Sequence, residues 1–158
     1  MTKQPTCYVL VGLPAAGKST WIATQPFDWN RTVVASTDNY IERVATAQGK
    51  TYSDVFKDEF SAAASNMNAT VLDAVKNKLD IVWDQTNTTV ASRKKKLKML
   101  PPGYRKIAVV FKTPDKDEHV RRLASRPGKV IPDTAIKQMA AQFEQPTREE
   151  GFDEIWDA

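Results

Sequence analysis

The sequence contains very little cysteine and histidine, and this scarcity excludes several kinds of site. Cys7 is the only cysteine and His119 the only histidine among the 158 residues. A single cysteine excludes a disulfide framework and a thiolate metal cluster, and a single histidine excludes a multi-histidine metal site. Cys7 lies in an apolar run, which predicts a buried and inert thiol. His119 lies in a polar helical stretch, which predicts a surface residue.

Long hydrophobic runs are also missing. No apolar stretch approaches the roughly 20 residues that a membrane-spanning helix needs, and the first residues lack the apolar part of a secretory signal. We therefore expect a cytoplasmic protein with no membrane contact. Neither sign of charge dominates, because 23 Lys and Arg residues against 19 Asp and Glu residues give a formal net charge of +4. This mild excess permits a polyanionic partner without requiring one, and no feature predicts an oligomeric state.

Short apolar runs alternate with longer segments of helical period. Strands are predicted over residues 6–11, 31–35, 81–84 and 106–111, with a terminal edge strand at Ile155 and Trp156. The length fits one domain with one core. This alternation predicts an α/β fold in which helices cover both faces of a parallel sheet.

The clearest helical pattern spans residues 54–79, where apolar residues recur every three or four positions. These residues are Phe56, Phe60, Ala63, Met67, Val71, Val75 and Leu79. Such a stripe is typical of core packing and not of a cofactor or partner surface. Other helices are predicted over residues 37–48 and 90–100, from Thr113 as N-cap with Pro114 in the first turn, and from Pro132.

A complete phosphate-binding motif follows the first predicted strand. The motif G-x-x-x-x-G-K-[ST] is matched by Gly12, Leu13, Pro14, Ala15, Ala16, Gly17, Lys18 and Ser19, with Thr20 next in the following helix. Its glycines let backbone N–H groups surround phosphates, and the helix that follows presents its positive end to them. Lys18 is expected to reach the β- and γ-phosphates of ATP, and the Ser19 hydroxyl to bind Mg²⁺. The motif does not specify the acceptor.

Two carboxylates follow predicted strands, at the sheet edge where ligands of open α/β folds bind. Asp38 follows the second strand, and Asp84 closes the third. Asp38 suits a general base for an attacking hydroxyl, and the structural alternative is an N-cap of the next helix. Asp84 suits the Mg²⁺ shell, and its alternative is a solvated strand end. We favour the functional role for both residues.

Basic residues cluster in two places. Arg121, Arg122 and Arg126 precede a Pro127-Gly128 break, which predicts a lid over residues 121–132 with Arg126 clamping the phosphates. For the other two arginines we favour interaction with a helix dipole. The densest run consists of Arg93, Lys94, Lys95, Lys96 and Lys98. Two interpretations remain open: a solvated helix face, and a path for a nucleic-acid backbone with Arg93 nearest the loop of residues 85–87 that follows Asp84.

Taken together, these residues resemble the kinase domain of phage polynucleotide 5′-kinases, within the adenylate-kinase-like group of P-loop proteins. The similar segments are residues 12–21, 38–40, 84–87 and 126–132, in the order of that family. The resemblance implies Lys18 and Ser19 on ATP·Mg²⁺, Asp38 as base for a 5′-hydroxyl, Asp84 near the metal and Arg126 as lid arginine. The chain also resembles the kinase-like domain of heterogeneous nuclear ribonucleoprotein U, in residues 11–15, 83–87 and 131–143.

The resemblance and the motifs together predict an ATP-dependent kinase for the 5′-hydroxyl ends of RNA or DNA. The acceptor is expected to contact Asp38, Arg43, Thr86, Asn87 and Arg93. The phage family carries an arginine shortly after its base, where this chain has Ile41, and Arg43 is the candidate substitute. Two alternatives remain: a kinase for a small hydroxyl compound, and an RNA-binding module that binds nucleotide without transferring phosphate.

Overall fold

A computed structural model describes residues 3–158 and shows a parallel sheet flanked by helices. The strands are β1 (Thr6–Val11), β2 (Thr32–Ala35), β3 (Asp80–Trp83), β4 (Arg105–Val110) and β5 (Glu154–Asp157). The helices are α1 (Lys18–Thr24), α2 (Thr37–Gln48), α3 (Tyr52–Lys76), α4 (Val90–Leu97), α5 (Lys116–Ala124) and α6 (Asp133–Ala141), and a 3-10 turn spans Arg148–Glu150. The spatial order is β2-β3-β1-β4-β5, with every pair parallel. The predicted α/β class is confirmed.

Alternate residues of the central strand β1 enter two cores on opposite faces of the sheet, as the two-residue period of a strand requires. Cys7 and Val9 pack in a core that includes Met67 of α3, whereas Leu10 packs in a second core bordered by Trp21 of α1. Burial in the first core raises the pKa of the Cys7 thiol far above its usual range. The prediction of a buried, inert thiol is therefore confirmed.

Two helix starts differ from the prediction for identifiable reasons. Helix α3 begins two residues earlier than predicted, because Thr51 and Asp54 form a reciprocal capping box at its start. It ends at Lys76, three residues before Leu79. Helix α5 begins after Asp115, so Thr113 is not its N-cap. No helix within residues 3–158 is apolar and long enough to cross a bilayer.

Candidate active site

The phosphate-binding motif forms a tight loop between the carboxyl end of β1 and the start of α1. The Gly12 N–H donates to the Thr86 carbonyl over 2.9 Å, which ties the loop to the segment after β3. A Cβ at Gly12 would lie 2.8 Å from the Cβ of Phe111, so this close approach requires glycine. Gly17 adopts a left-handed conformation with φ of 104°. The loop geometry therefore explains both glycines of the motif.

Lys18 lies in the same cleft as Asp38 and Asp84. Its Nζ donates to the Gly12 carbonyl over 2.6 Å and to the Leu13 carbonyl over 3.1 Å. Burial lowers the pKa of Lys18 to about 8, against the opposing charges of Asp84 and Asp38. A buried ammonium held only by neutral carbonyl oxygens would gain from a phosphate within reach.

Ser19 and Thr20 are exposed at the mouth of this cleft, beside the Gly-rich loop. No group of three or more carboxylate, histidine or cysteine side chains in the described part of the chain could hold a metal. A magnesium ion here would therefore use one or two protein oxygens together with phosphate and water, as Mg²⁺ commonly does. Ser19 and Asp84 both line the cleft and carry oxygens of the kind that Mg²⁺ binds.

Arg126 lies in the segment between α5 and α6 and lines the cleft. Its Nη1 is buried and has no hydrogen-bond partner within residues 3–158. Guanidinium groups buried without partners are costly, and phosphate oxygens are natural acceptors for them. The unpaired Nη1 of Arg126 is therefore the strongest indication that the cleft binds the phosphates of a nucleotide.

Asp38 lies in the first turn of α2, and its carboxylate accepts hydrogen bonds from two residues outside that helix. The Tyr52 hydroxyl donates to Oδ1 over 2.6 Å, and Lys129 Nζ donates to Oδ2 over 2.9 Å. Burial raises the pKa of Asp38, but the Tyr52 hydrogen bond and the Lys129 charge outweigh it and hold the pKa below its ordinary value. The N-cap of α2 is Ser36, whose side chain accepts from Asn39 N–H. The alternative role of Asp38 as an N-cap is therefore wrong.

Asp84 directly follows β3, and its carboxylate faces the cleft near Lys18. Burial raises the pKa of Asp84, Lys18 opposes this effect, and the charge of Asp38 adds to it. The side chain is only partly exposed, so Asp84 is not a solvated strand end. Asp84 therefore shares the cleft with Asp38 and Lys18.

The segment that carries Arg126 rests on the start of α3. The Ser53 N–H donates to the Gly128 carbonyl over 3.0 Å, and the Val130 N–H donates to Ser53 Oγ over 3.0 Å. A Cβ at Gly128, where φ is 65°, would lie 2.7 Å from the Thr51 Cβ. These contacts hold the segment against α3 and bring Lys129 to Asp38.

Phe56 and Phe60 are not core residues, contrary to the sequence prediction. Their side chains are 41% and 46% exposed, and both line the cleft. With Tyr52 they form an aromatic row along α3, with ring centroids 5.6 Å apart for Tyr52 and Phe56 and 5.4 Å apart for Phe56 and Phe60. The row begins at the tyrosine that holds Asp38. An exposed aromatic wall therefore extends from the carboxylate.

Arg93 and Asn87 do not face an acceptor, and both predictions are corrected. Arg93 is fully buried, and its Nε and Nη2 donate to the two carboxylate oxygens of Glu150 over 2.8 and 3.1 Å. Its Nη1 donates to the Asn87 carbonyl, and Asn87 Nδ2 donates to the Leu10 carbonyl over 2.8 Å. Asn87 is 1% exposed. These hydrogen bonds stabilise the carboxyl end of β1.

The other predicted acceptor residues differ in their placement. Thr86 lines the cleft, where its carbonyl accepts from the phosphate-binding loop. Arg43 lines a neighbouring groove and lies 5.9 Å from the Tyr40 ring centroid. Ile41 is fully buried, so no contact with an acceptor is possible at that position. In the basic run, Lys94, Lys95 and Lys98 are exposed, as expected of a solvated helix face.

His119 is buried, contrary to its predicted surface position. It is 7% exposed, and its Nε2 donates to the Pro14 carbonyl over 2.8 Å. Arg122 pairs with Glu118 through a 2.8 Å contact. The hydrogen bond from His119 to Pro14 holds α5 against the phosphate-binding loop.

Several site residues carried no recognisable sequence signal. Tyr52 lies 14 positions from Asp38 and Lys129 lies 91 positions from it, so neither pair shares a motif or a helical period. For Phe56 and Phe60, the helical period correctly placed them on one face of α3. The period does not indicate that this face of α3 is buried at Met67 and Val71 but exposed nearer the start of the helix, at Phe56 and Phe60. Only the tertiary arrangement identifies them.

Comparison with known proteins identifies the family. A protein-family model described as "AAA domain" matches residues 8–146, which is most of the chain. The chain belongs to this family, and its loop, sheet order and flanking helices are those of a P-loop kinase-like domain.

Solved structures share the fold at low sequence identity. The Pnkp1/Rnl/Hen1 RNA repair complex matches at 23% identity over 90% of this chain and 45% of that chain, with a TM-score of 0.67. A fungal RNA kinase matches at 13% identity over 99% and 38% of the two chains, with a TM-score of 0.59. Shikimate kinase from Bacteroides thetaiotaomicron matches at 16% identity over 97% and 86%, with a TM-score of 0.53.

These matches show a shared fold. The chain spans less than half the length of the matched chains in the RNA repair complex and the fungal RNA kinase. The comparisons lend no support to the resemblance to heterogeneous nuclear ribonucleoprotein U.

Proposed function

We propose that this chain is an ATP-dependent kinase that phosphorylates the 5′-hydroxyl ends of RNA or DNA. The observation that carries the proposal is the cleft itself. One cavity contains the phosphate-binding loop, the Asp38 carboxylate and an exposed row of aromatic rings that begins beside that carboxylate. The loop suits a phosphate donor, the carboxylate suits a hydroxyl acceptor, and the rings suit nucleobases.

On the donor side, Lys18 and Arg126 would bind the terminal phosphates of ATP, and Ser19 and Asp84 would hold Mg²⁺. The metal, when bound, supplies charge neutralisation for the phosphoryl group in transfer. Lys18 would exchange its two carbonyl partners for phosphate oxygens. Arg126 would satisfy its orphaned Nη1 in the same way, because it lines the same cleft. Both residues place positive charge where the transition state gains negative charge.

On the acceptor side, Asp38 is the proposed general base. A carboxylate oxygen has two lone-pair sites, so each oxygen retains a position for the acceptor hydroxyl beside its present donor. The hydroxyl oxygen forms a bond to the γ-phosphorus, the bond from that phosphorus to the bridging oxygen of ADP breaks, and Asp38 accepts the hydroxyl proton. Tyr52 and Lys129 would keep Asp38 ionised and oriented until it accepts that proton.

The aromatic row favours a nucleic-acid end over a sugar or hydroxy acid. Aromatic side chains bind successive bases of single strands by stacking, and a sugar or hydroxy acid has no flat aromatic face for such stacking. Two solved structures with this fold, an RNA repair complex and an RNA kinase, are consistent with this assignment. The shikimate kinase relative keeps a small-molecule acceptor as the second candidate.

A non-catalytic RNA-binding module is the third candidate. The two hydrogen bonds on Asp38 argue against it, because a pure binding module has no need of an oriented, ionised carboxylate beside its phosphate loop. Such a module would bind oligonucleotides but would not turn over ATP in their presence.

A labelled-phosphate assay separates these candidates. Purified protein is incubated with Mg²⁺, γ-labelled ATP and, in parallel, RNA with a 5′-hydroxyl, DNA with a 5′-hydroxyl, a nucleoside, and shikimate. We expect label in the oligonucleotides at the highest kcat/KM. Label confined to the small acceptors would replace the proposal with the second candidate. Absence of label from every acceptor, with oligonucleotide binding retained, would replace it with the third.

A further inference from the structure

The phosphate-binding loop contains a tight turn with one residue in an unfavourable conformation. The Ala16 N–H donates to the Leu13 carbonyl over 3.2 Å, which closes a four-residue turn with Pro14 and Ala15 at its centre. Ala15 has a φ of 62°, in the left-handed region that a residue with a Cβ rarely adopts. Proline suits the first central position of a turn, so the strain lies at Ala15 alone.

The sign of φ at Ala15 determines how the peptide between Pro14 and Ala15 is oriented. A negative φ there gives a type I turn, whereas a positive φ gives a type II turn, which usually has glycine at this position. The two dihedral angles beside that peptide differ by roughly 150–170° between the two types, so its plane turns through about half a circle. Alanine favours the type I form. A contact from outside the turn must therefore hold the observed form.

His119 of α5 supplies such a contact. Its Nε2 bonds to the Pro14 carbonyl oxygen over 2.8 Å, and the residue is buried. A carbonyl oxygen can only accept, so Nε2 carries the proton. Arg122 Nη1 donates to the Ala15 carbonyl over a longer 3.4 Å, from an exposed side chain. The oxygen that His119 holds is the one whose direction would change if the peptide turned over.

The N–H group of the same peptide faces away from α5. The C=O and N–H of a trans peptide point in opposite directions, and no peptide bond within residues 3–158 is cis. The Ala15 N–H therefore points away from His119, and no backbone carbonyl of the described chain accepts from it. Ala15 lines the cleft. An N–H group placed in this way in a phosphate-binding loop is a suitable donor for phosphate oxygens.

We propose that His119 is a positioning residue for nucleotide binding: by holding the Pro14 carbonyl, it keeps the Ala15 N–H directed toward the phosphates of the donor. The inference rests on the nucleotide-binding part of the proposed function and is independent of the acceptor. It gives a role to a histidine that lies far from the phosphate-binding motif in sequence and outside the cleft lining. Helix α5 thus contributes to phosphate binding through His119 as well as through Arg126, which follows the helix.

A matched pair of amide substitutions tests the donor. His119→Gln carries an N–H donor on a side chain long enough to replace Nε2, and His119→Asn carries the same amide on a side chain one methylene shorter. The probe is ADP with Mg²⁺, titrated by calorimetry without an acceptor. His119→Gln should retain the affinity for ADP. In His119→Asn the dissociation constant should rise about 5–30-fold, because only the left-handed fraction of the loop then binds phosphate.

A second substitution separates peptide orientation from packing. Glycine adopts a positive φ without steric cost, so Ala15→Gly removes the bias against the type II turn. In a chain that carries Ala15→Gly, His119→Asn should therefore weaken ADP binding much less than it does in the wild-type loop. Val120→Ala, at an exposed position of the same helix, should leave ADP binding unchanged. Adenosine, which has no phosphate, should bind the wild type and His119→Asn equally.

Three outcomes would overturn the inference. The first is equal affinity for ADP in His119→Gln and His119→Asn. The second is an undiminished effect of His119→Asn in the Ala15→Gly chain, which would show that the histidine acts through packing. The third is an equal loss of adenosine and ADP binding. Thermal unfolding without nucleotide checks that each variant is folded, and if His119→Asn is not, His119→Phe replaces it as a variant that keeps a ring but lacks the donor.

The same titrations separate failure of the inference from failure of the proposed function. Tighter ADP binding by His119→Gln than by His119→Asn supports the positioning role even if no 5′-hydroxyl is phosphorylated, a result that would contradict only the proposed reaction. Active phosphate transfer by the wild type, with an ADP affinity that does not depend on the donor at position 119, would contradict only the positioning role.

Discussion

At the scale of single residues, the chemistry depends on how Asp38 is held. Its two oxygens accept hydrogen bonds from Tyr52 and Lys129, which come from the first turn of α3 and from the segment before α6. Lys129 Nζ also lies 4.3 Å from the Tyr52 ring centroid, so the two donors support each other. A carboxylate fixed in this way is oriented before any acceptor arrives.

Replacing Asp38 with asparagine should remove the base without changing the shape of the site. We expect kcat to fall about 10²–10⁴-fold while the affinity for ATP is retained, because proton transfer contributes to the chemical step alone. Steady-state kinetics and nucleotide titration measure the two effects separately.

Glu42→Gln is the matched control for that substitution. Glu42 contacts the same lysine over 3.3 Å, and its side chain is about as exposed as that of Asp38. It should retain most of the activity. Full turnover in Asp38→Asn would show that Asp38 is not the base.

The pH dependence should report the ionisation of Asp38. The Tyr52 hydrogen bond and the Lys129 charge hold the pKa of Asp38 below its ordinary value. The base is therefore ionised at neutral pH, and its own contribution to kcat/KM should be lost only as pH drops below the usual range of a carboxyl group. Lys129→Met removes one of the groups that lower the pKa, so the acid limb should move to higher pH. An acid limb that stays in place in this variant would contradict the coupling.

At the scale of secondary-structure elements, the sequence predicts those features that depend on residues close together in the chain, such as strands and the phosphate-binding loop. The strand bounds agree with the prediction to within one residue, because buried parallel strands read as continuous apolar runs. The phosphate-binding loop was found because its conformation is specified by glycines close together in sequence. The periodic apolar pattern does not predict the start of α3, because polar residues, Thr51 and Asp54, form the capping box there.

The aromatic row on α3 supports a prediction about acceptor binding. The double substitution Phe56→Leu/Phe60→Leu keeps apolar side chains on the helix but removes the rings. If each ring stacks a base for about 1–3 kcal/mol, the KM for an oligonucleotide should rise at least about tenfold, with little change in the KM for ATP.

Leu72 provides the control for that prediction, because it is an exposed apolar residue elsewhere on the same helix. Leu72→Ala should leave both KM values unchanged. A double variant that bound oligonucleotides as tightly as the wild type would remove the argument for nucleobases in the cleft.

The Arg93–Glu150 pair shows how a charge run can conceal a core residue. Arg93 is fully buried although it begins a run of basic residues that composition alone marks as solvated. Removing one partner of a buried ion pair leaves the other charge uncompensated, so Arg93→Ala should lower the free energy of unfolding by about 3–5 kcal/mol. Lys94→Ala, at the exposed neighbouring position, should change it by no more than about 0.5 kcal/mol. Chemical denaturation measures both, and equal effects would contradict the structural role of Arg93.

At the scale of the whole molecule, the cleft is assembled from segments far apart in the chain. The phosphate-binding loop, the start of α2, the end of β3, the row on α3 and the turn before α6 meet at one edge of the sheet. The sequence was sufficient to place the loop, Asp38 and Asp84 there, because each follows a strand of a parallel sheet. It was insufficient for Tyr52 and Lys129, whose contacts with Asp38 depend on how the helices pack on that sheet.

One measurement tests directly whether this cleft is a 5′-hydroxyl kinase site. Two oligonucleotides of identical sequence, both with a free 3′-hydroxyl, differ only in a 5′-hydroxyl or a 5′-phosphate and are incubated with ATP and Mg²⁺. Mass spectrometry should find one added phosphate on the first and none on the second. Addition to neither strand, or to both equally, would contradict the proposed reaction.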